Sequence, residues 1–425
     1  MNKLFNQISA RRPKSNSFDL SHEKKLSMNM GDLVPILLEE VVPGDKFKVN
    51  TESLVRLAPM VAPMMHRVNI FTHFFFVPNR LTWDGWEDFI TGGPDGLDQS
   101  TLPLIDLNAT NAANFKKGSL GDYFGLPLMD GTITNPAYVN ALPFRAYQMI
   151  YNEYYRDQNL TDPIEFTTGA MDPLDIPRLA EMRKRAWEKD YFTSALPWAQ
   201  RGNPVGIPVD FNYKNATEVY NQNDLQPTID KAVHTGQVGT TDGLLYPQGS
   251  SDPEDVLRLE NLEEEATSVD INELRKAVKL QEWLEKNARA GSRYIEQIFS
   301  HFGVKSSDAR LQRPEYLGGG KNPVVISEVL QTSATNTQDT AVDASVQGNM
   351  AGHGISVGRS NNFSRRFEEH GFIIGIMSVL PRTAYQQGFE RFWHKYDKFD
   401  YYWPEFAHLG EQEVITHELY HNFAG

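Results

Sequence analysis

Gly371-Phe372-Ile373-Ile374-Gly375-Ile376-Met377-Ser378-Val379-Leu380 is the stretch on which the fold of this chain turns. Its apolar run, Phe372 to Leu380, is about half the length that a membrane-spanning helix needs. It is rich in β-branched residues, contains glycine and stops at Pro381, so it reads as a strand buried on both faces. Near the opposite end of the chain, Arg67 to Val77 has the same character, with Val68, Ile70, Phe71, Phe74, Phe75 and Phe76 before Pro78-Asn79. Asp45 to Leu57 adds a strand in near-alternation (Phe47, Val49, Leu54, Val55, Leu57), and Val324 to Leu330 adds another. Strands at both ends, with no strand-helix alternation between them, imply antiparallel β architecture closed by distant segments, with the middle of the chain as insertions.

Helices fall within those insertions. Pro143 to Asn159 places Phe144, Tyr147, Ile150, Tyr151, Tyr154 and Tyr155 at three- and four-residue spacing, an aromatic stripe suited to a core or an interface. A second helix follows Ser268-Val269, where Asp270 and Glu273 form a capping box and Ile271, Leu274, Val278, Leu284 and Ala288 line one face up to Gly291. Residues 200–251 are rich in Gly, Asn, Thr, Gln, Asp and Pro and read as a surface loop, as do residues 332–348. Gly318-Gly319-Gly320-Lys321 and Gly352-His353-Gly354 read as turns. The group Arg178, Arg183, Lys184, Arg185 and Lys189, interspersed with Glu181, Glu188 and Asp190, reads as a solvated helix face that could touch phosphate.

The 425 residues would by length alone suggest two or three domains, and 40% hydrophobic with 23% charged residues excludes a disordered or collagen-like chain. There are no cysteines, which removes thiolate catalysis, disulfides and Cys-zinc sites. Met1 to Gln7 lacks the apolar core of a signal peptide, which points to a cytosolic product. The net charge of -14 argues against a surface that tracks nucleic acid throughout. The charge is uneven, however. Residues 1–30 hold six basic groups (Lys3, Arg11, Arg12, Lys14, Lys24, Lys25) against Asp19 and Glu23, a +4 arm that leaves -18 for the rest. Such an arm suits a polyanion, a neighbouring subunit or simple solubility.

One catalytic pattern demands testing. His417-Glu418-Leu419-Tyr420-His421 is a formal HExxH, which on a helix sets two imidazoles on one face for Zn²⁺ with the Glu activating water. A catalytic zinc needs a third protein ligand, and only four residues follow His421, so a zinc-dependent hydrolase is the weaker reading. The Gly-rich turn at 318–320 lacks P-loop spacing, and Glu263-Glu264-Glu265 has no apolar enclosure to raise a carboxyl pKa. No catalytic, cofactor or metal residue is therefore expected. Arg310 and Arg313, in a loop before a strand, are suited to phosphate or, better, to bridging subunits.

Several blocks together resemble one family. Ile271-Asn272-Glu273-Leu274-Arg275, Trp283-Leu284-Glu285-Lys286-Asn287-Ala288-Arg289, Gly291-Ser292-Arg293-Tyr294-Ile295-Glu296 and Ser300-His301-Phe302-Gly303-Val304 are similar to the major capsid protein of the Microviridae, small icosahedral single-stranded DNA bacteriophages. The likeness is nearest to the gokushovirus-like branch. It continues through Asp308-Ala309-Arg310-Leu311-Gln312-Arg313-Pro314-Glu315-Tyr316-Leu317-Gly318-Gly319. It recurs at Ile150-Tyr151-Asn152-Glu153-Tyr154-Tyr155, Asp190-Tyr191-Phe192-Thr193-Ser194-Ala195-Leu196-Pro197-Trp198, Met350-Ala351-Gly352-His353-Gly354 and Tyr401-Tyr402-Trp403-Pro404-Glu405-Phe406. Gly410-Glu411-Gln412-Glu413 and Glu418-Leu419-Tyr420 fit the family without either histidine of the HExxH.

The resemblance implies a mainly β fold, an eight-stranded antiparallel jelly roll (viral capsid β-barrel) with long, partly helical inter-strand insertions. It implies a basic N-terminal arm over 1–35 and a single capsid domain over 36–425, with about 81–322 as the main inserted region and 200–251 as a surface loop. The expected function is a non-enzymatic shell subunit, self-assembling as a T=1, 60-copy homo-oligomer around circular single-stranded DNA. Expected partners are a small basic DNA-packaging protein, a pilot protein, an internal scaffolding protein and a host surface receptor. The expected location is the virion, after assembly in the bacterial host cytoplasm and without membrane insertion. Lys3, Arg11, Arg12, Lys14, Lys24 and Lys25 are the DNA-contact candidates; Arg310, Arg313, Tyr151, Tyr154 and Trp283 are the subunit-interface candidates. A β-sandwich carbohydrate-binding module shares this architecture and is the other alternative.

Overall fold

In the computed structural model the chain divides into two compact units, residues 1–195, 307–398 and 414–425 forming the first and residues 196–306 and 399–413 the second. The structure describes residues 16–60, 64–93, 97–129, 135, 137–198, 200, 202–203, 205, 211–213, 219–221, 224–227, 233–235, 245–247, 257–259, 264–266, 271–290, 300, 312–330, 350–407 and 412–422.

The first unit is built on two antiparallel sheets. Strands β1 (Val34–Val41), β2 (Lys46–Arg56), β3 (Val68–Pro78), β4 (Leu104–Leu107), β5 (Ala137–Asn140), β6 (Glu315–Pro323), β7 (Val325–Leu330), β8 (Met350–Arg366) and β9 (Gly371–Pro381) run in chain order. One sheet has the order β1-β9-β3-β6, the other β7-β8-β2, and β4 pairs with β5 as a separate ribbon. The chain passes from sheet to sheet at Val42–Asp45, between β2 and β3, at Val324 and at Phe367–His370, so the two sheets form a sandwich. This is the mainly β, jelly-roll type of architecture, here with seven long strands among the described residues.

The two decisive apolar stretches are the centre of the first sheet. β9 pairs along its whole length with β3, with Ile374 opposite Phe75 and Ile376 opposite His73, and both strands are buried except at the half-buried His73 and Pro381. Each is covered on both faces, which is why neither alternates apolar with polar. On one face, Phe74, Phe76 and Ile373 meet Phe363 and Phe367 of the second sheet's side, while Ile70, Val379 and Met377 meet Val55 and Ile326. On the other, Phe75, Val77, Ile374 and Ile376 meet the inserted helices through Phe144, Tyr147 and Ile150.

Those helices are α1 (Leu120–Phe124), α2 (Leu142–Ile150) and α3 (Ile176–Ala180). The aromatic stripe predicted over 143–159 is α-helical only to Ile150; Tyr151–Tyr155 then widen into a π-turn. Asn152 fixes the end of that turn by bonding both backbone groups of Ile164. Arg145 is fully buried in α2 and donates to the carbonyls of Thr82 and Gly169, tying two inserted segments together.

Three expectations are corrected. Gly318-Gly319-Gly320-Lys321 is part of β6, not a turn. Its glycines are there because the neighbouring strands leave no room: a Cβ on Gly319 would lie 2.2 Å from the Thr72 carbonyl oxygen, and one on Gly320 2.3 Å from Asn361 Oδ1. His353 lies within β8, opposite Ser327, rather than in a turn, and a Cβ on Gly354 would strike Leu57. The Arg178–Asp190 group is not a helix face beyond Ala180; Arg183 bonds Gln148 and the Arg178 carbonyl, Arg185 lies over the Phe71 ring at 3.9 Å and reaches Ser378, and Lys189 pairs with Asp157. Arg185 holds the insertion onto the sheet, while Arg183 and Lys189 tie segments of the insertion to one another.

The second unit carries α4 (Ile271–Ala290), which matches the predicted helix, and short antiparallel ladders joining Phe211–Tyr213 to Glu264–Ala266, Val219–Asn221 to Leu257–Leu259, and Val233–Thr235 to Leu245–Pro247. The described parts of the stretch read as a surface loop thus include strands. Residues 332–348 lie outside the described residues.

Candidate nucleic-acid and subunit contact surfaces

Four of the six arm candidates, Lys3, Arg11, Arg12 and Lys14, lie outside the described residues, as does Arg310. Lys24 is placed against the body: its Nζ donates to the Pro35 carbonyl at 3.0 Å and to that of Tyr123, and burial lowers its pKa. The Tyr123 hydroxyl returns a bond to the Ser27 carbonyl, and Gly31 N–H donates to Val379, so residues 24–31 are laced to α1 and β9. Lys25 is solvent-facing, 3.7 Å from Glu23. The cleft between residues 16–30 and β2, about 1290 Å³, is lined by both lysines, by Lys46, Lys48 and Arg56 of β2, and by Asp19, Glu39, Asp45 and Glu52, so its charge is mixed.

The interface candidates differ in how far their own subunit uses them. Tyr154 donates to the Pro314 carbonyl at 2.7 Å and packs on Phe75, ring centroids 4.8 Å apart. Tyr151 is half-buried beneath the Arg183 guanidinium. Arg313 is partly buried in the turn before β6. Trp283, on α4, remains 50% exposed, with Ile271, Leu274, Val278 and Leu280 also exposed on that helix. Sequence reading passed over other exposed aromatics: Phe392, Trp393 and Tyr396 in the first unit, and Phe399, Tyr401 and Tyr402 in the second. The sequence signal was their density, six aromatics (Phe392, Trp393, Tyr396, Phe399, Tyr401 and Tyr402) within eleven residues, which is a surface anomaly only once exposure is known.

The HExxH is dismantled by its geometry. The helix around it spans only Thr416–Leu419, too short to carry His421. Glu418 is buried, accepting from Ile415 N–H at 3.2 Å and Tyr191 O–H at 3.1 Å with Arg391 at 3.7 Å, so the carboxylate acts as a clasp. Among the described residues no group of three or more His, Cys, Asp or Glu is placed to hold a metal ion.

One buried titratable site stands out. His73 Nδ1 lies 2.8 Å from the Tyr155 hydroxyl, with the rings stacked at 5.9 Å. Burial, reinforced by the Arg185 charge, pushes the imidazole pKa down to about 4, and burial pushes the Tyr155 hydroxyl up, so the tyrosine donates to a neutral histidine. Nearby, Asp190 accepts from Thr193, Tyr385 and Thr383. Its pKa is held at about 2 by those bonds, against the opposing pull of desolvation. The His73–Tyr155 pair fastens the interior, and the Asp190 bonds fasten segments at the surface.

The fold is thus a two-sheet sandwich laced to long insertions. The family model described as Capsid protein (F protein) matches residues 6–424. The chain belongs to that capsid family. It is 36% identical to capsid protein VP1 of Chlamydia phage 1, over 99% of this chain and 80% of that protein. It is 37% identical to capsid protein VP1 of Bdellovibrio phage phiMH2K, over 98% of this chain and 78% of that protein. Against capsid protein VP1 of Spiroplasma virus 4 the identity is 32%, over 94% and 75% respectively.

The resemblance to the Microviridae capsid proteins therefore holds, and this capsid protein is a structural, non-enzymatic component of a multi-copy virion shell. No helix among the described residues is long and apolar enough to cross a membrane.

Proposed function

We propose that this capsid protein is the subunit of a T=1 shell of 60 copies enclosing a circular single-stranded DNA genome. The family match over residues 6–424 carries this reading, and the two-sheet sandwich agrees with it. Closed symmetry lets individually weak contacts act together, so the exposed aromatics of both units and Trp283 on α4 are reasonable material for contacts between copies, joined by Arg310, Arg313, Tyr151 and Tyr154. Residues 36–425 act as one capsid domain and residues 1–35 as the arm. Lys3, Arg11, Arg12, Lys14 and Lys25 are the arm's contacts to phosphate, made without sequence preference, while Lys24 anchors the arm to the body through the Pro35 and Tyr123 carbonyls.

With a net charge of -14 per chain, the shell needs further cations to hold DNA, which is the role of a small basic DNA-packaging protein. A pilot protein, an internal scaffolding protein and a host surface receptor complete the set of partners, with assembly in the bacterial host cytoplasm. Electron microscopy of the purified protein tests the central claim. Closed, uniform particles are expected; a stable monomer with no particles under any assembly condition would overturn it.

A further inference from the structure

The outward face of the second sheet is basic at its Lys46–Arg366 end and apolar at the other, where Leu54, Val325, Val329 and Val357 are exposed. β2 alternates strictly, with Lys46, Lys48, Asn50, Glu52, Leu54 and Arg56 exposed on one side and Phe47, Val49 and Val55 turned inward. Register with β8 sets Lys46 opposite Arg366, Lys48 opposite Ser364 and Asn50 opposite Asn362, while Arg359 stands 3.9 Å from Glu52. Five cations (Lys46, Lys48, Arg56, Arg359, Arg366) thus share the face with one carboxylate, Glu52, a local +4 on a chain of -14. Arg359 and Glu52 are each about three-quarters exposed, so their pairing is screened and weak.

We propose that this face, Lys46, Lys48, Arg359 and Arg366 above all, binds the phosphate backbone of single-stranded nucleic acid. The proposal rests on the reading of the protein as a DNA-enclosing shell subunit and deepens it by naming the surface. At the basic end of the face the chemistry favours phosphate over a second protein. Lysine is depleted in the centres of protein interfaces. Lys, Arg, Asn and Ser side chains are the usual donors to phosphate oxygens, and all four types meet here around Asn50, Asn362 and Ser364. No aromatic side chain lies on the β2 side of this face, so bases have nothing there to stack on and binding is blind to sequence. The face also answers the charge problem. A -14 chain can lie against a polyanion when its cations are gathered on one side, because screening limits the reach of the remaining carboxylates to about 8–10 Å at physiological salt.

The test uses the full-length chain, with fluorescent oligo-dT as the probe and salt titration as the readout. The variant Lys46→Gln/Lys48→Gln/Arg359→Gln/Arg366→Gln is compared with Lys116→Gln/Lys117→Gln/Lys279→Gln/Lys286→Gln, which removes as many exposed charges elsewhere. Each lost contact to single-stranded DNA lowers the slope of log K against log salt by about 0.7, so the face variant should lose about 3 in slope and about tenfold or more in affinity at low salt. The control set should change far less. Particles of the face variant should assemble and retain less DNA. An unchanged salt slope would overturn the inference, as would equal loss in both variants. Failure of the face variant to assemble, with its oligo-dT binding intact, would assign the face to contacts between copies and overturn it too. If wild-type protein binds oligo-dT through this face but never forms particles, the shell reading fails and the surface assignment stands.

Discussion

β2 and β3 are strands of equal length, 11 residues each, in one sandwich, and they do opposite work. β3 lies between β9 and β6 with the second sheet on one face and the inserted helices on the other, so every position from Val68 to Pro78 is buried except the half-buried His73. β2 is an edge strand with one covered face, and its alternation delivers Lys46, Lys48 and Arg56 to the surface. The difference teaches that in this shell protein stability resides in the shared centre of the first sheet, and surface chemistry in the outward face of the second.

That division can be broken most forcefully at the centre. Phe74→Ala removes a ring that is 1% exposed and packed 5.3 Å from Phe363, and should cost about 3–5 kcal/mol in urea unfolding of the unassembled protein. A loss below 1 kcal/mol would show that the inter-sheet layer is not the main store of stability.

The next effect is pH-dependent. His73 is depressed to about 4 in the folded protein, whereas a free imidazole titrates near 6.5. The unfolded chain therefore binds a proton that the native state refuses, and stability falls as pH drops from about 6.5 to 4, by up to about 3 kcal/mol. His73→Gln should flatten that part of the stability curve relative to wild type; an unaltered curve would remove His73 from the acid response.

The smallest effect belongs to the outer face. Lys48→Gln should change stability by less than about 0.5 kcal/mol, because its exposed side chain leaves the core untouched. A larger loss would mean that the outward face also supports the fold.

Much of this contrast was legible beforehand. The strand expected over 45–57 is found at Lys46–Arg56, that over 67–77 at Val68–Pro78, and the capped helix at Ile271–Ala290, because apolar period and capping chemistry are local properties. β6 was not legible, since three consecutive glycines carry no strand signal; they make sense only beside Thr72 and Asn361, which the sequence places far away. The arginines near 183 looked solvated because nothing local shows that Phe71 and Gln148 come to meet them. The HExxH, already the weaker reading, shows the same limit in reverse. A three-position motif cannot reveal that its glutamate is clasped by Tyr191 and Ile415.

By itself the sequence determined the β class, the two apolar strands that make the centre, the insertion of helices between them and the family to which the chain belongs. All of these rest on residue type and short-range spacing. Only the tertiary structure decided which cations would be spent as internal fastenings and which would gather on one face. The partners lie beyond the reach of local pattern, 35 positions apart for Arg183 and Gln148 and 193 for Arg185 and Ser378, and strand register, which sets Arg366 opposite Lys46, is settled by burying the other side of both strands.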